Sequence, residues 1–157
     1  MAKKEILNQA LKKLEFIEPN ANLANGFIKK AEDSLEEMRN AKKRDWKIGT
    51  AYYAMYQSVY ALFMRVGIKS EVHTHTLALA ETIFMEYFNS EDFLLLYTAF
   101  EARKDTTYYV NREVSDTIVT EIMTKAPYVF TKCKAVLSKL TERNINELRE
   151  KILSLKK

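Results

Sequence analysis

Apolar positions recur at helical spacing along almost the whole chain. In residues 3–17, Ile6, Leu7, Ala10, Leu11, Leu14 and Ile17 fall on one face, which predicts a first helix. It should end at Glu18-Pro19-Asn20, because the residue before a proline is pushed out of the helical region. A second helix is expected over 24–43, with Phe27, Ala31, Leu35 and Met38 inward and Lys29, Asp33, Glu36 and Lys43 outward. A third is expected over 45–66. It carries two apolar stripes, one of Ile48, Ala51, Tyr52, Met55, Val59 and Leu62, the other of Tyr53, Tyr56, Tyr60 and Phe63. Gly67 then supplies the left-handed residue that closes it.

Residues 48–64 of that third helix contain no charged side chain and hold four of the nine tyrosines. Such a segment is too polar for lipid and too apolar for a surface, so it reads as a central helix whose phenol hydroxyls must find partners. Residues 68–74 read as a loop, with Thr74 or Thr76 capping a fourth helix that reaches Phe88. Asn89-Ser90 breaks the pattern, and Ser90 is a candidate cap for a fifth helix from Glu91 to about Tyr109. A sixth pattern covers about 114–140, where Pro127 should kink it or split it. The stretch 142–157 is amphipathic through Ile145, Leu148, Ile152 and Leu155. The expected fold is all-α: an up-and-down bundle of four to five core helices with extra N- and C-terminal helices.

Composition agrees with that reading. Of 157 residues, 47% are hydrophobic and 29% charged, with only three Gly and two Pro. One domain, 1–157, is the simplest division, with a core of about 24–140 flanked by helices at 1–17 and 142–157. A net charge of +4 permits an acidic partner without identifying one. The single cysteine, Cys133, excludes an internal disulfide and fits a reducing compartment. The charged, amphipathic start is unlike a signal peptide, and no stretch is apolar enough to span a bilayer. The expected setting is therefore cytoplasmic, away from membranes.

Candidate chemistry is sparse. His73-x-His75 after Glu71 invites a metal, but a third and fourth ligand are not evident, so no metal site and no cofactor are assigned. Ser–His–Asp and Cys–His patterns and Gly-rich phosphate loops are absent, and Cys133 sits at core spacing. The basic pairs and triplets, such as Lys42-Lys43-Arg44, are short and mostly offset by nearby Glu or Asp, as on solvated helix faces. The segment Glu101-Ala-Arg-Lys-Asp-Thr-Thr-Tyr-Tyr109 is different, because it follows a strongly buried pattern. Arg103 and Thr107 share a helix face, and Tyr108 lies about 140° round from Arg103. One reading is an arginine reaching out of the core to pair with Asp105 or a neighbouring carboxylate. The other is a guanidinium and a phenol on one rim, suited to a phosphate.

The combination of Phe27 to Met38, Ala51-Tyr52-Tyr53-Ala54-Met55-Tyr56, Gly67 followed by Thr74-His75, and Arg103 followed by Tyr108 resembles the HEPN superfamily. It is most similar to the small prokaryotic branch that reads A-x-x-x-A-Y-Y-A-x-F, G…T-H and R-x-x-A-D-Y. The resemblance spans about residues 24–140. It implies a helical bundle that commonly dimerises, with the arginine motif in a cleft between subunits. Many members are metal-independent ribonucleases, often toxins paired with a small nucleotidyltransferase antitoxin. Their motif is an arginine followed, four to six residues later, by a histidine. On this chain the arginine is Arg103, the histidine position holds Tyr108, and the aspartate that often precedes the tyrosine is Thr107.

That departure has a chemical consequence. Cleaving RNA through its 2′-hydroxyl needs a base near neutrality, and a free tyrosine leaves only about one phenolate in a thousand at pH 7. The base is missing unless His75 or His73 reaches the cleft. The expectation is a non-catalytic or weakly active protein that binds a nucleotide or RNA phosphate with Arg103, Thr107, Tyr108, Tyr109, Tyr53 and Tyr56. Its expected partners are a second copy of itself and a nucleotidyltransferase, in a toxin–antitoxin or stress-response pair. The alternatives are a metal-independent endoribonuclease using Arg103 and His75, and a helical protein–protein interaction module. Tyr108 and Tyr109 are also candidate acceptors of a nucleotidyl group from the partner.

Overall fold

The computed structural model describes residues 2–157; Met1, included in the expected N-terminal flank, lies outside them. The described residues form seven helices and one two-stranded sheet, an all-α bundle as the periodicity predicts. They are α1 (Lys3–Lys13), α2 (Ala21–Asn40), α3 (Arg44–Val66), α4 (His73–Ile83), α5 (Ser90–Tyr108), α6 (Asp116–Lys139) and α7 (Glu142–Leu155). The strands are β1 (Glu15–Phe16) and β2 (Ile68–Lys69).

Helix α3 is the axis of the bundle. It packs on α2, α5, α6 and α7, and Ile48, Ala51, Tyr52, Ala54, Met55, Ala61, Leu62, Phe63 and Val66 are fully buried. Every tyrosine hydroxyl of its central segment has a partner. Tyr52 meets His73, Tyr53 accepts from Arg103, Tyr56 donates to Thr76 and Tyr60 donates to the Ser70 carbonyl. Those contacts reconcile a polar composition with burial on most faces.

Several boundaries differ from expectation. The first helix stops at Lys13 rather than residue 17, because Leu14 turns extended and β1 pairs antiparallel with β2, Glu15 opposite Lys69 and Phe16 opposite Ile68. Helix α2 begins three residues early, where the Asn20 side chain accepts from the Leu23 amide. Helix α4 is shorter than predicted and neither threonine caps it. Instead Thr76, wholly buried, bonds to the Ser70 hydroxyl and the Val72 carbonyl. Phe84 ends that helix, and the turn beyond it packs Phe84 on Phe63 and Phe88 on Phe93. The cap of α5 is Asn89, which exchanges bonds with Asp92 in a capping box. Helix α6 runs through Pro127 unbroken, since buried Ile122, Ala126 and Val129 hold both halves in the core.

Gly67 closes α3 with φ 85°. A Cβ there would lie 2.5 Å from both the Ile17 carbonyl and Arg149 Nη1, and 2.8 Å from the Pro19 nitrogen. Arg149 of α7 itself reaches the carbonyls of Ile17, Val66 and Gly67 and lies over the Phe16 ring. The C-terminal helix thus ties the β1–β2 connection to the end of α3.

Candidate functional site

The site forms where α3, α4 and α5 meet. Tyr52 and Tyr53 come from the middle of α3, His73 from the first residue of α4 and Arg103 from the last turns of α5. Arg103 is half-buried and donates from Nη2 to the Tyr53 hydroxyl at 2.8 Å. Its guanidinium carbon lies 5.1 Å from the Tyr53 ring centre, 5.9 Å from that of Tyr108 and 6.0 Å from that of Tyr52. Among the described residues it makes no ion pair. Asp105, the carboxylate named as a partner on the first reading, is held by Arg112 at 3.1 Å. A half-buried cation surrounded by rings and a phenol is stabilised by their π faces, without a carboxylate to neutralise it.

His73 completes the cluster. Its Nδ1 lies 2.7 Å from the Tyr52 hydroxyl, and its ring stacks on Tyr56 at 4.1 Å with the planes 10° apart. It meets Tyr53 edge-on at 6.3 Å. Burial, and secondarily the Arg103 charge, lower its pKa from 6.5, so the imidazole is neutral at pH 7. Burial also raises the pKa of Tyr52 strongly and pushes Tyr56 up to about 12. None of these phenols is a base near neutrality.

His75, the expected catalytic histidine, is elsewhere. It is 7% exposed and faces Lys13, Lys69 and Glu71 near β1 and β2. Burial, followed by the Lys13 charge, lowers its pKa. The helical start at residue 73 decides between the two histidines, because positions two apart point to different sides. A signal for His73 was available: it shares a face with Thr76, three residues on, opposite Tyr52 and Tyr56, themselves four apart on α3. The two histidines do not converge, and no group of three His, Cys, Asp or Glu side chains among the described residues could hold a metal ion.

The remaining expected residues divide into two sets. Tyr53 joins Arg103 directly, whereas Tyr56 lies behind His73 with its hydroxyl turned to Thr76. Thr107, Tyr108 and Tyr109 line an open groove of about 870 Å³ beside Arg44, Asp45 and residues 112–116. Tyr108 is 66% exposed and, among the described residues, is the one side chain that both borders this groove and faces the Arg103 guanidinium. Tyr109 is instead covered by Arg112, whose guanidinium carbon is 3.6 Å from its ring centre. Arg44 is likewise engaged, by Asp116 and the Val114 carbonyl. The groove thus carries two paired arginines and three carboxylates, Asp45, Glu113 and Asp116, and Arg103 adjoins it only through Tyr108.

No helix among the described residues is long and apolar enough to cross a membrane. No family model matches the chain. The chain is similar to a UPF0332 protein of Archaeoglobus fulgidus, 28% identical over 120 residues that cover 71% of this chain and 93% of that protein.

Proposed function

We propose that this chain is a HEPN-like protein that binds a nucleotide or RNA phosphate at Arg103 and does not cleave it efficiently. The observation that carries this reading is a half-buried guanidinium with no carboxylate partner among the described residues, bordered by Tyr53 and by exposed Tyr108. Arginine offers a phosphate two parallel N–H donors, and the neighbouring phenols add hydrogen bonds and a stacking surface for a base. Tyr108 stands where the resemblance places a catalytic histidine, and a phenol is a poor base at neutral pH. The ribonuclease alternative that relies on His75 gains no support from a side chain facing Lys13. Under the same reading the protein works as a dimer in the cytoplasm beside a nucleotidyltransferase, with the groove at Tyr108 turned to the second copy. Calorimetric titration with nucleotides and short RNAs tests the site. Wild type should bind and Arg103→Ala should bind far more weakly; equal affinities would remove Arg103 from the function.

A further inference from the structure

We infer that Arg103, Tyr53 and His73 form a donor-only cradle for a singly charged phosphodiester, in which His73 presents a neutral Nε2–H and in that tautomer cannot act as a base. This inference rests on the phosphate-binding reading above and specifies its ligand.

The assignment comes from one buried hydroxyl. Tyr52 is 0% exposed, and among the described residues its Oη has a single hydrogen-bond partner, His73 Nδ1. If Nδ1 carried the proton, it would donate to Oη, and the phenol's own hydrogen would be left without an acceptor inside the core. That arrangement costs about 1–3 kcal/mol, so the phenol donates and Nδ1 accepts. The imidazole proton is then on Nε2. Nε2 has no protein partner among the described residues, and no buried side-chain nitrogen or oxygen is left unbonded, so Nε2 is open to solvent or ligand.

The same accounting applies to Tyr53. Its oxygen accepts from Arg103, which leaves its hydrogen free to donate. The three groups therefore offer donors from one cation and two neutral side chains, and no carboxylate opposes them, because Arg112 holds Asp105. One positive charge matches the single negative charge of a phosphodiester. A terminal phosphate, carrying nearly two charges above its second pKa of about 6, would leave one uncompensated in a half-buried site. In this tautomer His73 has no lone pair on Nε2 to take a 2′-hydroxyl proton, and reaching the other tautomer costs the same, about 1–3 kcal/mol. Nor can it pass its Nε2 proton on, because recovering one from Tyr52 would create a buried phenolate. Tyr52 is in this sense a positioning residue: it sets the tautomer without touching the ligand.

Three measurements test this. His75→Gln leaves His73 as the only histidine of the two in the chain. The long-range nitrogen–proton NMR spectrum of that ligand-free variant at pH 7.5 should show a protonated Nε2 and a bare Nδ1. A protonated Nδ1 would overturn the assignment whatever the protein binds. At pH 8, a dinucleoside monophosphate should bind about tenfold more tightly than a nucleoside 5′-monophosphate or inorganic phosphate. His73→Gln, which keeps a neutral donor, should retain more of that affinity than His73→Ala. If the 5′-monophosphate binds more tightly and still requires Arg103, the phosphodiester inference fails while the phosphate-binding reading stands. Binding of neither ligand overturns both. RNA cleavage to a 2′,3′-cyclic phosphate that disappears in His73→Gln would likewise overturn the non-basic role of His73.

Discussion

Among the charged side chains of helix α5, Asp92 near one end and Arg103 near the other are treated oppositely. Asp92, in the first turn, is 7% exposed, bonds to the Asn89 amide and pairs with Lys132 of α6 at 2.5 Å. The void beside it is about 10 Å³, room for no more than one water, and is walled by Phe84, Phe88 and Phe93. Arg103, near the other end, has aromatic neighbours, no carboxylate and an open groove adjoining it at Tyr108. A buried charge that is neutralised and sealed serves the fold. One that is half-buried, kept without a counter-ion and placed beside a groove has a charge available to something outside the chain.

The sharpest way to break this contrast is to remove each charge and measure both stability and binding. Lys132→Ala strands the Asp92 carboxylate and should cost about 2–3 kcal/mol in urea unfolding, reduced from the fully buried value because Lys132 is partly exposed. Arg103→Ala should change the same unfolding free energy by less than about 1 kcal/mol. A large stability loss at Arg103 would make it a structural residue like Asp92. In ligand binding the order reverses: Arg103→Ala should lose about 10- to 100-fold in RNA affinity, the range for one charge-assisted contact, and Lys132→Ala should lose little.

A smaller effect is expected from Tyr52→Phe, about 1 kcal/mol of stability for one lost hydrogen bond. Its distinctive signature is in the His73 spectrum, which should become a mixture of tautomers once the phenol no longer feeds Nδ1. The smallest effect is pH dependence. Both histidines titrate below 6.5 in the folded protein, so the unfolded chain takes up protons first as pH falls. Stability is full above about 6.5 and declines on acidification until the folded-state pKa values are passed. Thermal unfolding from pH 7.5 to 5 should show that decline, and His73→Gln should flatten part of it.

The helices were legible because burial imposes a period on the sequence. The apolar stripes of α2, α3 and α7 place Ala31, Leu35, Met55, Leu148 and Ile152 inward as predicted. Gly67 was legible for a local reason, its left-handed backbone. Boundaries were less so where a neighbour intervened. Nothing within residues 14–17 announces that they pair with 68–69, and Pro127 reads as a break until its helix is seen clamped on both sides. At the site, Arg103 and Tyr53 could be singled out from their motifs, but their direct contact joins residues 50 apart in the chain.

The choice between His73 and His75 shows where the boundary lies. Spacing within one helix is set by the chain itself, so the sequence alone determined an all-α protein, a tyrosine-rich central helix and an arginine near the end of a buried one. Which histidine faces that arginine depends on where α4 starts, and its start is held by Thr76 bonding to Ser70 and Val72 and meeting Tyr56 across the bundle. Only the packed structure made that decision, because a shift of two residues turns a helix through about 200° and exchanges one imidazole for the other.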